Sequence, residues 1–103
     1  MAIIPGFKLT VTNNVRVPLA TVNTPAKWIM FQPKMDATGS PTNTGAVWLG
    51  DITITPTAGG TCLNPGDSTV AWPGGSGEYL YDLQQIYIVA ATGGDGVQYI
   101  YGA

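Results

Sequence analysis

Residues Ile86–Ala103 read IYIVAATGGDGVQYIYGA, two runs of β-forming residues joined by glycines. Ile86, Ile88 and Ala90 alternate with Tyr87, Val89 and Ala91, so both sides of the first run are apolar. In the second run Val97, Tyr99 and Tyr101 share one side, while Gln98 and Ile100 share the other. A strand with one wet face alternates apolar with polar residues. Outside its turn this pair, read as a closing hairpin, has a single clearly polar position, Gln98. Either the domain covers both faces itself or another chain does.

Outward from this pair, strand signals recur every ten or so residues, the spacing of a sandwich or small barrel. FKLTVT alternates Phe7, Leu9 and Val11 with Lys8, Thr10 and Thr12. Past an Asn13–Asn14 turn, Val15, Val17 and Leu19 alternate with Arg16 and Pro18. Pro18 cannot donate to a ladder, which predicts an edge or bulged strand. KWIMFQ, Lys27–Gln32, is apolar on both sides except at its ends and predicts a central strand with Trp28 in the core. Met35–Ala46 reads as a long exposed loop. In AVWLGDITIT, Val47 and Leu49 point inward, with Ile52 and Ile54 following them, and Gly50 marks a bulge or tight crossing. TPTAGG reads as a turn and Pro73–Gly77 as a loop. Pro65–Gly66 fits a type II turn, where glycine takes positive φ cheaply. No window sustains helical periodicity, and one turn near Leu83 is the most that GEYLYDLQQ allows. The sum is an all-β chain, an antiparallel β-sandwich (jelly-roll or Greek-key like) of about seven short strands.

At 103 residues the chain is one domain. Residues 1–6 form an apolar arm, with Ile3 and Ile4 ahead of a Pro–Gly break, docking on its own sheet or a neighbour's; residues 7–103 form the sandwich. A charged fraction of 10% is far below the roughly 25% of ordinary soluble domains. That suits a protein packed against neighbours. The four basic residues are not clustered, which argues against nucleic acid. No run approaches the length of a membrane helix, and MAIIPGF lacks the features of a signal peptide.

Catalysis needs positioned acids, bases, nucleophiles or metal ligands. With no histidine there is no Ser–His or Cys–His pair and no imidazole metal site. Cys62, the single cysteine, reads as a buried small hydrophobe. Of the six carboxylates, Asp36, Asp67, Glu78, Asp82 and Asp95 fall in loops, where acids cap turns; only Asp51 does not. GGDG at Gly93–Gly96 is a turn rather than a calcium loop, and GGSG at Gly74–Gly77 lacks the lysine and helix of a phosphate loop. Neither an enzyme nor a cofactor or metal is expected.

The aromatic residues remain. Trp48 falls opposite Val47 and Leu49 and so points outward, whereas Trp72 fits either side. Exposed Trp and Tyr anchor protein interfaces and also stack on sugars. The candidate interface residues are Ile3, Ile4, Trp48, Trp72, Tyr87, Tyr99 and Tyr101.

The succession PAKWIMFQP, TGAVWLGD, GGTCLNPGDSTVAW and LYDLQQIYIVAATGGDGVQYIY resembles a small β-sandwich module of tailed-phage virion proteins. The likeness lies at Ala26–Ile29, Gly45–Gly50, Leu63–Ser68 and Leu83–Ala90, in that order. The resemblance implies a non-enzymatic virion protein assembled in the host bacterial cytoplasm. Its stand-alone form would be a capsid decoration (cement) protein that binds the major capsid protein on the head surface as a homotrimer and bridges capsomers. A tail, baseplate or head–tail joining component is the alternative within that class. A carbohydrate-binding module using Trp48 and Trp72 is the alternative outside it.

Overall fold

The computed structural model describes residues 2–55, 60–72, 74 and 78–103. The turn read in TPTAGG and the loop read at Pro73–Gly77 therefore lie largely outside the described residues. Among the described residues ten strands occur: β1 (Ile3–Leu9), β2 (Val17–Pro18), β3 (Pro25–Ala26), β4 (Trp28–Pro33), β5 (Val47–Gly50), β6 (Thr61–Leu63), β7 (Val70–Trp72), β8 (Tyr81–Asp82), β9 (Tyr87–Ala90) and β10 (Gly96–Gly102). Several are two or three residues long, which is why about seven were legible as patterns. The expected single helical turn is the 3₁₀ segment Leu83–Gln85.

The chain folds as an antiparallel β-sandwich. The first sheet has the order β1-β10-β4-β7 and the second the order β2-β9-β5-β6, with β3 and β8 paired separately. Successive strands cross between layers, and only β5 and β6 follow one another within one sheet. This winding is a jelly roll, two Greek keys wrapped into two layers. The expected closing hairpin is corrected by it: β9 pairs with β2 and β5, while β10 pairs with β1 and β4. A strand apolar on both sides is at home as an inner strand. Each half of Ile86–Ala103 takes that place, but in different sheets.

The turn between β9 and β10 closes on itself through Asp95 N and the Thr92 carbonyl (3.3 Å) and bonds to the neighbouring crossover as well. Thr10 N donates to the Asp95 carbonyl (2.9 Å), Gly94 N to the Thr10 carbonyl (2.9 Å) and Asn14 N to the Ala90 carbonyl (2.8 Å). Gly93 N donates to Asn13 Oδ1 at 2.7 Å. A Cβ at Gly96 would drive into the Lys8 carbonyl oxygen, so only glycine lets β10 lie this close to β1.

The Met35–Ala46 crossover is less open than expected. It contains a bridge between Met35 and Pro41, and Asn43 is buried. The Pro65–Gly66 turn is borne out: Gly66 has φ +80° and Asp67 N donates to the Asn64 carbonyl at 3.1 Å.

The core lies between the layers. Ile29, Phe31 and Val97 of the first sheet face Val47, Leu49, Leu63, Ile88 and Ala90 of the second, all fully buried. Pro18 sits on an edge strand, as expected, since β2 ends the order of its sheet. Val47 and Leu49 point inward, also as expected. Ile52 does not; it is exposed. Ile54 is buried, but against Gly50 on the outer side of the second sheet, where a glycine Cβ would lie 3.1 Å from its Cδ1. Cys62 is exposed rather than buried, because Leu63 takes the inward position of β6. Native protein is expected to react stoichiometrically with Ellman's reagent, at one thiol per chain; a thiol that needs denaturant to react would contradict this placement.

Candidate interaction surface

Cross-strand register assigns every residue of the first sheet to a face. Ile4, Gly6 and Lys8 of β1 share the inward rows with Val97, Tyr99 and Tyr101 of β10 and with Ile29 and Phe31 of β4. The outward rows hold Ile3, Pro5, Phe7 and Leu9, then Gln98 and Ile100, then Trp28, Met30 and Gln32, and finally Ala71. This outer face is apolar apart from two glutamines, and among the described residues no second layer covers it. Ile3, Phe7, Leu9 and Met30 are 64%, 62%, 40% and 37% exposed. Monomeric proteins rarely leave a contiguous apolar patch open without a use for it.

The facing of β1 has a visible cause. Tyr99 lies over Gly6, where a Cβ would meet its ring at 2.6 Å, and fills from β10 the inward space that β1 leaves empty. Phe7 and Leu9 consequently take the outer side, and Trp28 joins them, half-buried, because Ile29 and Phe31 hold the inward positions of β4. The stretch expected as an arm is the first half of β1: Ile3–Gly6 pair with Tyr99–Gly102 of the chain's own sheet.

An open groove of about 530 Å³ crosses this face, lined among others by Pro5, Phe7, Met30, Gln32, Lys34 and Ile100. The Lys34 ammonium sits 5.7 Å from the centre of the Phe7 ring and donates to the Met35 carbonyl at 2.7 Å. Gln98 donates to Gln32 Oε1 (2.7 Å) and accepts from Met35 N (3.3 Å), so the polar centre of the groove is largely satisfied from within.

The seven residues expected at an interface divide among three places. Ile3 alone belongs to the open outer face, and Ile4 is half-buried in the inward row beside Tyr101. Trp72, Tyr99 and Tyr101 face inward, half-buried. Trp72 packs edge-on against Phe31 at 5.0 Å, Tyr99 lies 6.4 Å from Phe31, and Tyr101 lies 6.2 Å from Tyr99. Burial, followed by the neighbouring Tyr101, raises the Tyr99 hydroxyl above its ordinary value. Trp48 and Tyr87 lie on the outer face of the second sheet, half-buried, opposite Val89 and Gly50. Phe7, Leu9, Met30 and Ile100 were missed; the two-sided apolar patterns of β4 and β10 were the signal that pointed to them.

Five of the six acidic residues, including Asp51, are caps. Asp36 accepts from Thr38 and Ser40, and Asp51 from Thr53. Asp67 accepts from Asn64 N, and Asp82 from Thr24 N, Gln84 N and Asn23. Asp95 is buried; its carboxylate accepts from Thr44 N (3.0 Å), Gly45 N (2.9 Å) and Thr44 Oγ1 (3.2 Å). Among the described residues no three His, Cys, Asp or Glu side chains cluster as a metal site, and no helix is long and apolar enough to cross a membrane.

The caps carry a pH dependence of definite sign. The Thr38 hydroxyl holds Asp36 below the ordinary value of 3.8, the Thr53 hydroxyl does the same for Asp51, and the Thr24 amide for Asp82. A carboxylate whose folded pKa is depressed stabilises the fold above its unfolded pKa, and that contribution is lost as pH falls through the folded pKa. Thermal melts are therefore expected to have a midpoint insensitive to these groups above about pH 5 that drops as pH falls below about 4. A midpoint that rises on acidification would contradict the capping role.

Comparison of the chain with protein-family models, curated proteins and solved structures gives no match. What defines the chain is thus its own geometry: a small jelly-roll sandwich with one outer sheet face left apolar and open, and with most of its acids spent on turns.

Proposed function

We propose that the chain is a non-enzymatic structural protein of a tailed-phage virion, a decoration protein that binds the outside of the head and bridges capsomers as a homotrimer. The observation that carries this reading is the uncovered apolar outer face of the first sheet, which a permanent partner would bury. The low charge content and the resemblance of Ala26–Ala90 to virion modules support it. Jelly rolls serve in viral capsids and also in lectins, so the fold alone does not choose. The geometry disfavours a sugar platform, because Trp48 lies on the outer face of one sheet and Trp72 on the inner face of the other. Two surfaces suit a protein that must hold both a shell and its own copies. One is the outer face of the first sheet. The other is the Trp48 and Tyr87 side of the second sheet, near a smaller groove of about 380 Å³ between Val15, Arg16 and Ile54.

The mechanism is linkage. A protein that binds only the assembled shell lowers its free energy, by about 2.7 kcal/mol per site at a hundredfold excess over Kd. Repetition over the shell multiplies a modest contact. The test is co-sedimentation of purified protein with empty heads of the phage whose genome encodes it, with analytical ultracentrifugation of the free protein. Saturable binding that raises the temperature of head disruption, by a trimer, supports the reading. Binding to tails instead moves the protein to the alternative place in the virion, and binding to neither overturns the proposal.

A further inference from the structure

We infer that the outer face of the first sheet receives a different protein, an apolar surface of the shell bearing a carboxylate opposite Lys34, and not a second copy of this chain. The inference rests on the reading above and says which face meets which partner. Charge is the first argument. Among the described residues Lys34 is the one charged residue lining the groove, and neither the groove nor the outward rows of β1, β10, β4 and β7 contain a carboxylate. The acid nearest in sequence, Asp36, is tied into its own turn by Thr38 and Ser40. Two copies stacked squarely on this face would bury two ammonium groups whose counter-charge on each side, Asp36, lies off the face and is bound into its own turn, so neither charge is compensated within the interface. An uncompensated buried charge is among the costliest features an interface can have. A partner presenting a carboxylate there removes the conflict.

Area is the second argument. Four strands about 4.8 Å apart and up to seven residues long at about 3.3 Å each make a face of about 400 Å². A stable pair buries about 800 Å² of accessible surface on each partner, and a footprint of this size falls short of that by itself. A broader shell surface can add contacts beyond the sheet.

The third argument concerns approach. β1 is an edge strand, yet Pro5 lacks an N–H and Lys8 lies in the inward row, two devices that discourage strand addition. The partner therefore meets the face and not the edge.

The experiment measures binding to the same empty heads by Phe7→Ser/Leu9→Ser, Lys34→Glu, Lys34→Arg and, as a control on exposed surface elsewhere, Ile52→Ser. Each variant's oligomeric state is read by ultracentrifugation and its fold by near-UV circular dichroism. The expected result is a loss of affinity of about tenfold or more for Phe7→Ser/Leu9→Ser and for Lys34→Glu, with Lys34→Arg and Ile52→Ser close to wild type. Added salt weakens wild type more than Lys34→Glu, and every variant keeps the wild-type oligomeric state. If wild type binds heads and the face variants bind equally well, the inference falls and the function stands. If Phe7→Ser/Leu9→Ser dissociates a self-assembly, a second copy occupies the face and the inference falls. If wild type binds no heads, both fall together.

Discussion

Phe31→Ala is expected to destabilise the protein by about 3–5 kcal/mol, the range for deleting a buried aromatic ring. Phe31 is fully buried at the middle of β4, with Trp72 edge-on at 5.0 Å on one side and Tyr99 on the other. Removal therefore empties a ring-sized volume between the sheets and also breaks an aromatic pair worth about 1 kcal/mol beyond its area. A domain of this size has about 5–15 kcal/mol to lose, so much of the variant would unfold on modest warming. Met30, one residue earlier, points to the outer face; Met30→Ser is expected to stay within about 0.5 kcal/mol. Urea titrations of the two decide the face assignment directly. Equal midpoint losses would mean that β4 is buried on both sides.

The second large effect belongs to Asp95. Its carboxylate accepts from the backbone N–H groups of Thr44 and Gly45 and from the Thr44 hydroxyl. Next to it Asn43 and Gly96 exchange a reciprocal pair, Asn43 Nδ2 to the Gly96 carbonyl at 2.8 Å and Gly96 N to Asn43 Oδ1 at 2.9 Å. Three crossovers meet here: the one after β1, the one before β5 and the one between β9 and β10. Asp95→Ala leaves the part-buried N–H groups of Thr44 and Gly45 without their acceptor, at about 1–2 kcal/mol each, the lower part of the range for an unsatisfied donor. The expected loss is about 2–4 kcal/mol, and Asp95→Asn, which retains one acceptor oxygen, should lose less. Hydrogen exchange at Thr44 and Gly45 separates this from general loosening. Both amides should exchange fast in Asp95→Ala while those of β4 and β10 stay protected. If both amides stay protected in the variant, Asp95 is not their anchor.

Much of the fold was legible because its signals are local. The two-sided apolar runs at Trp28–Phe31 and Tyr87–Ala90 mark inner strands wherever they occur, and the Pro65–Gly66 turn is dictated by φ at Gly66. Legibility ended where a distant residue decided the outcome. Phe7 and Leu9 look like inward residues until Tyr99, ninety residues on, fills the space over Gly6. The GGDG turn looks like a hairpin until Thr10 and Asn14 take its hydrogen bonds. Ile54 finds burial on the outside of its sheet because Gly50 leaves room for it there. Surplus apolar strand surface was readable from Ile100 and Met30. Its concentration on a single outer face follows from the register of four strands, which no single stretch contains.

If a partner covers the outer face of the first sheet, the side chain at position 7 is open in the free chain and shielded in its natural assembly. This is tested most directly by thiol labelling of Phe7→Cys in a Cys62→Ser background, free in solution and again on particles that carry the protein. Rapid maleimide labelling of the free protein and strong protection on the particle are expected. Equally rapid labelling in both states, with the protein demonstrably bound, would contradict this.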